Sequence, residues 1–146
     1  MTLDSASVAK ITDDCGYAQD VSPDGRHLLS GNGPGGGKGI YDFSIADNKC
    51  TPLLPDLATL VIHFSPDAKY VLYLTAFRGE TVIYRQPWHD GKLAGPPQPA
   101  MKLPFSFPQG YFGNAYDFSK DLSTLVYARP GGQADIYLLS KEQIPK

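Results

Sequence analysis

Apolar positions in this sequence come in short runs bounded by turn-forming residues. Tyr17-Ala18-Gln19-Asp20-Val21, Leu60-Val61-Ile62-His63-Phe64 and Asn114-Ala115-Tyr116-Asp117-Phe118 each lead into a similar tetrapeptide: Ser22-Pro23-Asp24-Gly25, Ser65-Pro66-Asp67-Ala68 and Ser119-Lys120-Asp121-Leu122. A second run follows each turn: His27-Leu28-Leu29-Ser30, Tyr70-Val71-Leu72-Tyr73-Leu74 and Thr124-Leu125-Val126-Tyr127-Ala128. Proline presets φ and aspartate supplies local hydrogen bonds, so Ser-Pro-Asp-Gly between two such runs predicts a strand hairpin.

A second marker keeps step with the first. The tyrosines of Ile40-Tyr41, Ile83-Tyr84 and Ile136-Tyr137 fall 19, 19 and 18 residues after the turn serines. The serines themselves are 43 and 54 residues apart, the longer interval containing the insertion Gly95-Pro96-Pro97-Gln98-Pro99. Two markers in register define a repeat. Each unit predicts four strands. In the first these are Tyr17–Val21, His27–Ser30, Gly39–Ile45 and Lys49–Leu54, with Asp47-Asn48 turning between the last two. The second unit repeats them, with its third strand near Thr81–Gln86 and its fourth near Ala100–Leu103; the third unit supplies three. A lone strand, Ser7–Thr12, precedes them all.

Antiparallel four-stranded units at this period predict an all-β fold of β-propeller blades: blade 1 over about 16–56, blade 2 over about 57–109 and blade 3 over about 110–140. A sandwich of short strands has no reason to repeat two markers in step. Composition agrees. The 146 residues include 15 glycines and 13 prolines, too much backbone punctuation for a helical bundle. With 42% hydrophobic residues, 19% charged and a net charge of −2, the chain is expected to fold around a core and not to bind nucleic acid. Apolar runs such as Leu60-Val61-Ile62 fall far short of the roughly 20 residues that span a bilayer, so no membrane insertion is expected. Met1–Lys10 lacks the basic and apolar regions of a secretory signal, which leaves open one further upstream.

The Ser-Pro-Asp-Gly turn and the segment Ala134-Asp135-Ile136-Tyr137-Leu138-Leu139 resemble the WD40-like (PD40) propeller repeat of TolB-like proteins. That repeat also occurs in extracytoplasmic propellers of bacterial Ser/Thr kinases and beside prolyl-oligopeptidase-type catalytic domains. The resemblance spans about residues 16–140 and implies a six-bladed ring, a binding role and, for exported members, a periplasmic or extracellular setting. Lys120 and Leu122 depart from it where Pro and Gly are expected. No Gly-His or Trp-Asp dipeptide stands at the positions that WD40 proper requires.

Three blades do not close a ring, since propellers need four to eight. The chain is therefore expected to be part of a longer propeller or a half-ring that closes with a second copy, Ser7–Thr12 completing blade 3 of this or the other copy. Function follows as a non-catalytic protein- or peptide-binding module. The alternatives are an accessory or sensor segment of a larger enzyme or receptor kinase, and a glycan-binding propeller using Trp88 and tyrosines.

Candidate sites are few. Asp20, His63 and Asp117 share one repeat position, two residues before each turn serine, and are expected on innermost strands, where they either converge on a ligand or cation or bond the backbone of neighbouring blades. Trp88 is expected either to pack as one of the 17 aromatics or, with Phe105, Phe107, Tyr111 and Phe112, to form an exposed aromatic surface on inserted loops. Gly31–Gly39 is glycine-rich, but Asn32 and Gly39 stand where a phosphate-binding loop needs Gly and Ser or Thr, so it is expected to be a flexible connection. No nucleophilic triad assembles, no Gly-x-Ser-x-Gly elbow is present, and no cofactor or metal is expected. Cys15 and Cys50 are expected at opposite ends of blade 1, about 16 Å apart by strand rise, as two free thiols.

Overall fold

The computed structural model describes residues 15–33, 37–57, 61–77, 80–103, 116–129 and 135–140. The expected strand Ser7–Thr12 and the aromatics Phe105, Phe107, Tyr111 and Phe112 lie outside them. The described residues form strands and turns without a helix, so none contains a helix long and apolar enough to cross a membrane. Blade 1 is the meander β1 (Tyr17–Val21), β2 (His27–Gly33), β3 (Gly37–Ser44) and β4 (Lys49–Leu54). Blade 2 comprises β5 (Ile62–Phe64), β6 (Tyr70–Phe77), β7 (Glu80–His89) and β9 (Gln98–Lys102), with β8 (Lys92–Leu93) folded back on the end of β7. Blade 3 comprises β10 (Tyr116–Phe118), β11 (Thr124–Arg129) and β12 (Asp135–Ser140). All pairings are antiparallel, as propeller blades require.

The three turns are built alike. Each serine hydroxyl donates to the aspartate two residues on, at 2.6, 2.7 and 2.6 Å, and accepts from the amide of His27, Tyr70 or Thr124 at 2.9, 3.0 and 2.9 Å. Each serine carbonyl also accepts from the amide three residues on, which closes a β-turn. These bonds hold the turn carboxyls low, Asp121 at about 2, with the Ser119 hydroxyl the largest cause. The residue ending each turn is left-handed: Gly25 at φ 72°, Ala68 at 54° and Leu122 at 58°. The third turn thus keeps the geometry without Pro or Gly, and the serine and aspartate side chains carry it.

Blades stack face to face, and alternation along the strands of blade 2 serves both neighbours. Ile62, Phe64, Val71 and Tyr73 face blade 1 and pack with Leu29 and Ile40. Val61, Leu72, Leu74 and Ile83 face blade 3 and pack with Phe118 and Leu125. The marker isoleucines Ile40 and Ile83 are both fully buried, each directed at the following blade. A slip of one residue in β6 would exchange its contributions to the two seams, so register is strongly held.

Two expectations about blade geometry are corrected. Cys15 and Cys50 form a disulfide, with Cα atoms 5.6 Å apart. The 16 Å separation assumed that the chain before β1 continues along the strand. Instead it bends at Gly16, φ 74°, and Cys15 lies 3.5 Å from Ser30 of β2, over the sheet rather than beyond its end. Blade 2 also departs from a plain four-stranded unit: β7 runs past Gln86 to His89, and Asp90-Gly91, both left-handed, make a two-residue hairpin to β8 before the chain returns as β9.

Reducing the disulfide, whose cysteines are 35 residues apart, is expected to lower the unfolding free energy by about 3–4 kcal/mol. Urea denaturation measures that loss, and intact mass must rise by the two hydrogens added. In the turns, Gly25→Ala is expected to cost about 1 kcal/mol because φ is positive in open space, and Ala68→Gly to gain about 0.5–1 kcal/mol, both read from urea midpoints.

Candidate functional site

The innermost strands β1, β5 and β10 each pair on one side only, which leaves amides on their inner edges to be satisfied by other groups. The amides of Val21, Phe64 and Phe118 occupy one repeat position, immediately before the turn serine. Asp20 Oδ1 accepts from its neighbour Val21 N at 2.8 Å, and Asp117 Oδ1 accepts from its neighbour Phe118 N at 2.8 Å. In blade 2 the preceding residue is His63, and the Phe64 amide instead donates across the seam to Asp20 Oδ2 at 2.9 Å. One histidine among the repeats thus turns a local bond into a bond between blades.

His63 completes the connection. Its Nε2 donates to Asp117 Oδ1 at 2.8 Å, its Nδ1 stands 3.6 Å from Asp20 Oδ2, and its ring meets Phe118 edge-on at 5.0 Å. Lys120, where the other turns carry proline, donates to Asp20 Oδ1 at 2.8 Å, so blade 3 reaches blade 1 across blade 2. The structure therefore brings Asp20, His63 and Asp117 together as a chain of contacts along the inner rim. Of the two readings, bonding to the backbone of a neighbouring blade is seen at Asp20, which accepts from the Phe64 amide. Among the described residues no group of three or more His, Cys, Asp or Glu is arranged to hold a metal ion.

Burial alone pushes the Asp20 carboxyl up, but the adjacent His63 imidazole and bonds from Lys120 and the amides of Phe64 and Val21 outweigh it and hold it at about 2. Burial likewise pulls the His63 imidazole down, and the flanking carboxylates of Asp20 and Asp117 outweigh that and raise it. Protonated His63 is the form the rim selects.

Trp88 is not on an exposed aromatic surface. It is half-buried at the blade 1–blade 2 seam, edge-on to His27 at 5.0 Å and to Phe64 at 4.9 Å, because β7 extends beyond the minimal repeat and folds its tip over blade 1. The pair His27–Asp42 beneath it, joined at 2.9 Å, was not singled out in the sequence. The available signal was departure from the repeat: Tyr70 and Thr124 stand where blade 1 has His27, and Arg85 and Leu138 where it has Asp42.

The pH dependence of the rim follows from these directions. Stability from His63 is fully present below its ordinary 6.5 and is lost as pH rises through its raised folded value; stability from Asp20 is present above 3.8 and is lost as pH falls toward about 2. The difference in unfolding free energy between native protein and His63→Gln is expected to be largest between about pH 4 and 6.5 and to shrink above that range, as read by urea denaturation across pH. A difference that grows toward alkaline pH would contradict the assignment. Asp20→Ala, which strands the Phe64 amide at the seam, is expected to cost about 3 kcal/mol in the same assay.

No protein-family model and no curated protein matches the chain. Among solved structures it is similar to TolB from Acinetobacter baumannii, with 20% identity and a TM-score of 0.54 over 88% of this chain and 30% of that one. The chain thus spans less than a third of the TolB chain that it matches. At this identity the likeness speaks to fold alone, and together with the antiparallel blades it makes the chain all-β and propeller-like.

Proposed function

We propose that the chain is a non-catalytic, protein-binding propeller segment whose binding surfaces are the outward faces of its first and last blades, and that a second copy fills them. One observation carries this reading: repeat positions sealed inside the seams are bare at the ends. Leu29 and Leu72, seven residues after their turn serines, face the next blade and are 0% and 3% exposed, whereas their equivalent Val126 in blade 3 is 37% exposed. On the opposite side, Phe64 and Phe118 face the preceding blade and are 0% and 5% exposed, whereas their equivalent Val21 in blade 1 is 46% exposed. The Asp117 side chain, equivalent to Asp20 and His63, is likewise exposed.

The two open faces differ in kind. Blade 3 presents what a blade offers to its successor, and blade 1 presents what a blade offers to its predecessor. They are therefore complementary head to tail, and two three-bladed copies closing by two-fold rotation would give six blades, within the usual range for a ring. The second reading, an accessory or sensor portion of a larger enzyme or receptor kinase, is favoured by the 30% coverage of the TolB chain: further blades of one polypeptide would fill the same faces. The Cys15–Cys50 disulfide supports an oxidising compartment for either.

Size-exclusion chromatography with light scattering tests the partner. A second copy predicts roughly twice 15.9 kDa, and Val126→Asp is expected to return the protein to the single-chain mass with its circular dichroism unchanged. A folded monomer at every concentration would overturn the second copy as partner and leave the longer-polypeptide reading.

A further inference from the structure

One row of side chains crosses the outward face of blade 1 from its inner to its outer edge. The register pairs Val21 with Leu28, Leu28 with Phe43 and Phe43 with Cys50, so the four lie side by side on β1 to β4. The row turns away from blade 2, because Leu29 and Asp42, one step along β2 and β3, face that blade. Burial along it is uneven: Val21 is 46% exposed and Leu28 half-buried, yet Phe43 is 1% exposed. The matching row of blade 2, Phe64, Val71 and Gln86, lies against blade 1 and is buried throughout. The inner half of blade 1's face thus lacks cover, and the outer half already has it.

Cys15 lies over that outer half. It is buried ahead of β1, its Cα is 5.6 Å from that of Cys50 on the outermost strand, and its Sγ is 3.5 Å from Ser30 Oγ of β2. Ser30 adjoins Leu29 and so points outward too. The chain entering the blade therefore crosses the outward face between β2 and β4, and the disulfide fastens it there. The chain entering blade 2 runs into a seam without a crosslink: Leu57, ahead of β5, packs with Leu53 and Leu54 against the cluster between blades 1 and 2. An entering segment is thus part of a seam. In blade 2 apolar packing holds it, and in blade 1 the Cys15–Cys50 bond does.

We propose that the Cys15–Cys50 bond is a redox strap on the docking face of blade 1: it fixes the entering chain as the outer half of a seam whose inner half a second copy completes, so that reducing it loosens the pair. This role rests on the second copy as partner. A fastened segment needs no ordering when the partner docks, whereas a freed one does. Reduction takes a dithiol. One thiolate attacks Cys50 Sγ, on the less buried of the two cysteines, and Cys15 leaves as a thiolate that takes up a proton. The reductant's second thiolate then releases Cys50 in the same way and closes the reductant's own disulfide, two electrons and two protons passing to the protein in all.

The dissociation constant of the full chain, measured by sedimentation equilibrium, tests the strap. Oxidised protein is expected to pair, and dithiothreitol or the double change Cys15→Ser, Cys50→Ser to weaken pairing by about tenfold or more with circular dichroism unchanged. Pairing that stays equally tight without the bond overturns the strap and leaves the second copy standing; oxidised protein that stays monomeric overturns both. If the chain without the bond does not fold, the native bond decides. Dithiothreitol is expected to reduce it several times more slowly in the dimer than in monomeric Val126→Asp, since thiolate attack depends on access, and equal rates overturn the strap.

Discussion

Blade 2 gives neither face to solvent, and that constraint organises the rest of the molecule. Val71, Leu72, Tyr73 and Leu74 are consecutive and all buried, alternately against blade 1 and blade 3. A strand buried on both faces tolerates no slip, because every side chain would arrive at the wrong seam. The Ser-x-Asp turns meet this demand: each fixes where the second strand of its blade starts relative to the first, through bonds made by the serine hydroxyl and the aspartate carboxylate. Pro and Gly assist in the first turn and are absent from the third, which nevertheless closes in the same way.

Face-to-face stacking leaves polar groups at the seams that must be satisfied without water. At the inner rim the answer is shared between blades: Asp20 accepts from two amides and from Lys120 and lies against His63, so one carboxylate serves all three blades. Near the tip of blade 2 the answer is less complete, with Asp42 Oδ1 and Trp88 Nε1 unpartnered beside an imidazole. The rim leaves one buried atom unpartnered as well, His63 Nδ1, so neither place is fully satisfied.

The strands and turns were legible because their causes are local. A hairpin is closed by residues within six positions of one another, and an alternating run declares its own two faces. The nearness of Asp20, His63 and Asp117 to one another was legible too, since residues at one repeat position land at one radius of stacked blades. The disulfide was not, because a single left-handed residue, Gly16, redirects the chain over the sheet, and strand-rise arithmetic contains no such bend. Of the two readings of Trp88 the exposed surface fails and packing holds for a related reason: β7 outruns the repeat, and its tip finds apolar cover on the neighbouring blade.

By itself, then, the sequence determined the blade: four-stranded units, their turns, their register and the identity of the residues at each repeat position, all set by short-range sterics, hydrogen bonding and alternation. Tertiary structure alone decided what the blades do to one another. It paired Cys15 with Cys50, carried the Phe64 amide to Asp20, and laid the Asp90-Gly91 turn on the buried His27–Asp42 pair. These contacts join residues distant in sequence, and their energies depend on which groups are shut away from water together, a property of the stacked sheets and of no single segment.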